Sequence, residues 1–169
     1  MADDVHVTGL KELNAFLQAL PIKMERAILR AALKQGAKVI ANQAKTNVPV
    51  NKPSDTNLKK YGGYAGALKD SIRIGSRSKK GPAIGYVRAG GQKTKKGADV
   101  YYAHWVEYGT KPHANGRRGW HPGATRNKPF LRPAADTEQS RAVIAVGNWI
   151  KHRLEQRNWD VADIEVAEE

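Results

Sequence analysis

The residues of this chain that could do chemistry gather between Lys93 and His121. His104 and Glu107 stand three apart, a spacing that puts two side chains on one face of a helix. His104, His113 and His121 invite a metal reading, but their spacings match no zinc pattern, and there is no cysteine to complete a set. A hydrolytic metal centre would need more convergent acids than Asp99 and Glu107. The Gly90-Gly91 pair is not followed by the Gly-Lys-Ser or Gly-Lys-Thr ending of a phosphate loop. With no cysteine, disulfides and thiolate nucleophiles are excluded. The expectation is a protein that is not an enzyme, with no catalytic residue, no metal and no cofactor.

What the same region does offer is charge. From Ser71 to Ala135 there are 14 lysines and arginines against two acids, Asp99 and Glu107. The net charge of the whole chain is +13, which attracts polyanions. Lys93, Lys95 and Lys96, in a Gly/Lys stretch, are candidate DNA-channel or loop contacts. Tyr101, Tyr102, Trp105 and Tyr108 follow and could stack bases. A sequence reader is not expected, because no helix-turn-helix or zinc module is present. The C-terminal end reverses the sign: Asp160, Asp163, Glu165, Glu168 and Glu169 face no basic residue after Arg157. A basic middle and an acidic tail suit head-to-tail contact between copies, or a tail that screens the middle.

Glu107 is one of two acids in a basic stretch, so it is expected to pair with an arginine or lysine, either inside the subunit or across a subunit boundary. Gly109 is expected to take a backbone angle that other residues resist, beside Thr110. Phe130 and Leu131, between Pro129 and Pro133, are expected to anchor the last helix in the core or at a subunit interface.

These residues need elements to carry them. Leu10, Leu13, Phe16, Leu17 and Leu20 recur at helical spacing, ended by Pro21. A longer helix is predicted over about Ile22 to Asn47, with Leu29, Leu33, Ala37, Ile40 and Ala44 as its buried face and Pro49 as its stop. Asn51 to Tyr64 reads as a flexible loop. The segment Ala67 to Ile74 leads into one strand, Gly75 to Gly81 is a basic turn, and Ala83 to Ala89 is a second strand, together a hairpin. Gly90 to Gly97 is another flexible loop. Val100 to Tyr108 fits a short helix or a strand equally well. Thr110 to Lys128 reads as a polar loop. Pro133 opens a final helix, about Ala134 to Leu154, with Val143, Val146, Ile150 and Leu154 as its stripe. The fold class is therefore α+β: a long N-terminal helix and a C-terminal helix packed on a small antiparallel sheet, with long polar loops. Residues 1–156 are read as one α+β domain and 157–169 as a mobile acidic tail. The N-terminus lacks the layout of a signal peptide, and no apolar run is long enough for a membrane span, so no membrane partner is expected.

Four short signatures in order resemble one family. They are Val48-Pro49-Val50, Gly66-Ala67-Leu68-Lys69-Asp70-Ser71-Ile72, Tyr102-Ala103-His104-Trp105-Val106-Glu107-Tyr108-Gly109-Thr110, and Lys128-Pro129-Phe130-Leu131-Arg132-Pro133-Ala134. Over about Leu10 to Leu154 the chain resembles the tailed-phage tail-component family named after the gene-ten product of phage HK ninety-seven. The resemblance implies a structural virion protein, a neck or tail-completion subunit assembled as a ring at the head–tail junction. Its implied partners are further copies of itself and other phage neck and tail proteins; the basic stretch adds passing genomic DNA, without sequence specificity, as an expected contact. Its implied place is the virion, assembled in the host bacterial cytoplasm. The competing reading is a non-specific nucleic-acid-binding domain that grips phosphates with its basic loops.

Overall fold

The computed structural model describes Asn14 and residues 22–50, 63–78, 82–110, 113–115, 119–121 and 127–156. Apart from Asn14, the amphipathic stretch Leu10–Leu20, most of the Asn51–Tyr64 loop and the acidic tail 157–169 lie outside the described residues. The elements are α1 (Ile22–Asn47), α2 (Ala67–Asp70), β1 (Arg73–Arg77), β2 (Ile84–Arg88), α3 (Ala103–Tyr108), β3 (His113–Asn115), β4 (Gly119–His121) and α4 (Leu131–Glu155). Strands β1 and β2 pair with each other, and β3 pairs with β4 in a second small sheet. The connection between β1 and β2 spans only residues 78–83, too short for a parallel crossover, so the pair is an antiparallel hairpin. The architecture is α+β, with a long helix near each end and little sheet between.

The chain divides into two compact units. One comprises residues 1–40, 74–87 and 137–169; the other comprises 41–73 and 88–136. In the first, Ile28 and Ala32 of α1 pack with Ile150 and Leu154 of α4, flanked by Leu29, Val146 and Trp149. The line of closest approach on α1 is built from small residues. A Cβ on Gly36 would sit 2.7 Å from Val146 Cγ2 and 2.9 Å from the carbonyl oxygen of Ala142, so only glycine lets α4 come this close. The buried stripe of α1 is consequently offset from the expected one. Ile28, Ala32, Ala41, Ala44 and Ala37 are buried, whereas Leu29, Leu33 and Ile40 are half-buried. Within this unit Ile28, Ala32 and Gly36 mark the contact, with Leu29 packed at its flank. On α4, Ile150 and Leu154 are buried as predicted, but Val143 is 43% exposed.

In the second unit, Leu68, Ile72, Val100, Ala103, Phe130 and Ala134 are buried together with Ala41, Ala44 and Val48 from the end of α1. The segment expected to enter a strand at Ala67 instead makes one helical turn first, and β1 starts at Arg73 and continues through the expected basic turn to Arg77. Ser71 explains the break. Its buried hydroxyl donates to the Leu68 carbonyl (2.7 Å) and accepts from the Gly90 N–H (3.1 Å), which satisfies the turn locally rather than through a ladder. Gly90–Gly97, expected as a flexible loop, is a loop with bonds of its own. Thr94 N–H donates to the Ala98 carbonyl (2.8 Å), and Ala98 N–H returns a bond to the Thr94 hydroxyl (3.1 Å). The Arg73 guanidinium holds the base of that turn through the Gly90 carbonyl (2.6 Å) and the Gln92 side chain.

The aromatic stretch left open between helix and strand is a helix, α3. Thr110–Lys128, expected as loop throughout, contains the β3–β4 pair, whose antiparallel register sets His113 opposite His121 and Ala114 opposite Trp120. Helix α4 begins at Leu131, earlier than expected, so Pro133 lies at its third position.

Candidate interface site

The site grows from α3. Tyr102 accepts the N–H of Trp105 (2.9 Å) and Val106 (3.2 Å) to start this short helix. Gly109 ends it: its N–H donates to the Trp105 carbonyl (2.8 Å), and its φ of 75° lies in the region that favours glycine. Lys128 N–H donates to the Val106 carbonyl (2.8 Å), which lays the segment before α4 along α3. That contact sets the register of Phe130 beside Glu107.

Glu107 is 2% exposed, yet it carries a charge. Its Oε2 accepts the backbone N–H of Phe130 (2.8 Å) and of Leu131 (3.0 Å), and its Oε1 accepts that of Arg132 (3.0 Å). These N–H groups stand at the start of α4, where a helix has no internal acceptors for them. The first turn of α4 holds no acid of its own, and Pro133 contributes no donor there. Glu107 therefore supplies from a distant element the capping anion that the helix sequence lacks, at the positive end of the helix dipole. The Arg132 guanidinium lies 3.8 Å from Oε1 and is 62% exposed, so it adds little beside the buried N–H bonds. Burial alone would push the Glu107 carboxyl up. The N–H groups of Leu131, Phe130 and Arg132, with the arginine charge, outweigh it and hold the carboxyl below the ordinary carboxylate range.

The expected arginine or lysine partner of Glu107 is thus Arg132, but the stronger ligands are backbone groups. The sequence carried a signal for them. No Ser, Thr, Asp or Asn immediately precedes Leu131, a proline occupies the first turn, and one of only two acids in the basic stretch stands upstream. Phe130 is fully buried, and Leu131 is half-buried. Thr110 and Pro133 are half-buried as well.

Outside this latch α3 and the turn before it present an aromatic ridge. Tyr101 is 57% exposed, Trp105 41% and Tyr108 65%. Tyr101 and Trp105 meet edge to face at 5.4 Å, and the Arg132 guanidinium sits 4.5 Å over the Tyr108 ring. The lysines of the adjoining turn behave differently from one another. Lys93 and Lys95 are exposed, while Lys96 lies 3.9 Å from Asp70 and 4.7 Å over the Tyr64 ring, whose hydroxyl donates to Asp70 at 2.8 Å. Lys96 thus touches Asp70 and Tyr64 within the subunit while its side chain stays 70% exposed. Among the described residues no three His, Asp or Glu side chains converge as a metal site would require, and no helix is long and apolar enough to cross a membrane.

Residues 11–109 match the model of the family described as "Bacteriophage HK97-gp10, putative tail-component". The chain belongs to this family. Membership makes it a phage tail component with a structural role, and it implies contact with other phage tail proteins. The match takes in the first two signatures and the third as far as Gly109; the fourth, Lys128–Ala134, lies beyond it. The structure joins the two sides of that boundary, because Glu107 of the family segment binds the backbone of Phe130, Leu131 and Arg132. Neither the curated proteins nor the solved structures yield a match.

Proposed function

We propose that this tail component is a neck or tail-completion subunit that assembles as a ring where the tail meets the head, within a virion built in the host cytoplasm. Membership of the tail-component family over residues 11–109 is the observation that carries this reading. The basic stretch Ser71–Ala135 supports a position along the path of passing DNA, since a ring repeats the charge of each copy around one axis. The subunit is not an enzyme on this reading. Glu107, the acid best placed to act as a base, is buried and already saturated by three N–H donors.

The mass of the purified protein in solution tests the proposal. A defined multiple of the 18.6 kDa chain, or incorporation into particles when mixed with tails and heads, is the expected result. The second reading, a nucleic-acid-binding domain, rests on the same 14 basic residues. A persistent monomer with strong, salt-dependent DNA binding would favour it and count against the ring.

A further inference from the structure

We propose that the aromatic ridge of α3 is the receptor for the acidic C-terminal segment of a second copy of this chain. The inference rests on the ring reading and names the contact that would link neighbours. The ridge has the anatomy of a protein-binding hot spot. Tyr101, Trp105 and Tyr108 are exposed at a spacing that aligns them on one face, with exposed Lys128 and Arg132 at the rim. The acid beneath it does not oppose an acidic visitor, because the Glu107 charge faces inward onto the N–H groups of Phe130, Leu131 and Arg132.

The proposed occupant matches in both respects. Beyond Arg157 the chain interleaves Trp159, Val161, Ile164 and Val166 with Asp160, Asp163 and Glu165. Apolar side chains would pack on the rings while carboxylates meet Lys128 and Arg132.

The ring reading selects a neighbour's segment over the chain's own: a basic rim on one copy and an acidic segment on the next link successive subunits, so the contact runs head to tail between copies.

The test uses the full-length protein and a fluorescent peptide of residues 157–169. Saturable binding at low salt, falling as salt rises, is expected. The double variant Tyr101→Ser/Trp105→Ser should bind at least about tenfold more weakly, with unchanged helical circular dichroism. A peptide carrying Asp160→Asn, Asp163→Asn and Glu165→Gln should lose binding to the unaltered protein, a control that no folding defect can mimic. No binding by the natural peptide, or equal binding by the double variant, would overturn the proposal. So would a double variant that keeps the peptide but loses DNA, which would make the ridge a base-stacking surface. Peptide binding reads the receptor and solution mass reads the ring, so either idea can fail without the other.

Discussion

The carboxylate of Glu107 accepts the backbone N–H of Phe130 at 2.8 Å, a bond that spans 23 residues and ties a short helix to the start of the longest C-terminal element. It is accompanied by bonds to Leu131 and Arg132 at 3.0 Å each. The first prediction concerns this latch. Glu107→Ala leaves three N–H groups without their acceptor and should destabilise the fold by about 3 kcal/mol, whereas Glu107→Gln, which retains one acceptor oxygen, should cost less. Urea unfolding of the three proteins gives the order. Equal stability of Glu107→Ala and the parent would sink the latch.

The same residue sets an acid dependence. The folded carboxyl lies below its ordinary range, so protonation favours the unfolded chain. The stability it contributes is fully present above the ordinary glutamate value of about 4.3 and is lost as pH falls through the depressed folded value. Thermal midpoints measured from pH 6 downward should fall for the parent and fall less steeply for Glu107→Gln. Parallel curves would show that the charge does not act through this carboxylate.

Gly36 offers a test of the first unit. A methyl group there would stand 2.7 Å from Val146 Cγ2 and 2.9 Å from a carbonyl oxygen, and the backbone atom cannot swing aside. Gly36→Ala gains helix propensity worth about 1 kcal/mol, but overpacking should more than cancel it and leave a net loss of about 1–2 kcal/mol. A denaturation midpoint above that of the parent would mean the helices are not this close.

The basic turn makes a prediction about DNA. Replacing Lys93, Lys95 and Lys96 together with glutamine should weaken association with unrelated DNA sequences about equally and flatten its salt dependence. Lys93 and Lys95 are exposed, and the Lys96–Asp70 contact is also largely in solvent, so stability should change by less than about 1 kcal/mol. Unchanged DNA binding, combined with failure to join heads to tails, would assign these lysines to neighbouring proteins instead.

Proteolysis addresses the turn from another side. Residues 90–97 are held by Thr94, Ser71 and Arg73, so trypsin should cut at Lys93 and Lys95 slowly in the unassembled subunit. Mass spectrometry of the first fragments reads this directly. Rapid cleavage there would show that the bonds do not persist.

Composition and periodicity were enough for the long helices. Apolar spacing and Pro49 bounded α1 at Ile22–Asn47, and Ile150 and Leu154 of α4 lie buried as their spacing implies. The order of short motifs was enough for the family, because each motif records a local demand: a positive φ at Gly109, a buried leucine at Leu68, a proline early in α4. The tertiary structure decided what local sequence leaves degenerate. Short runs such as Val100–Tyr108 satisfy helix and strand alike until something packs on them, and here Lys128 and Phe130 do so from one side. The α4-facing line of α1 fell on Ile28, Ala32 and Gly36 rather than on Leu33, because at Gly36 the backbone of α4 comes too close for any side chain. Above all, a charge such as that of Glu107 interacts with whatever the fold brings near. Sequence shows its sign, but only the chain's path shows that its partners are backbone donors at the start of a helix more than twenty residues away.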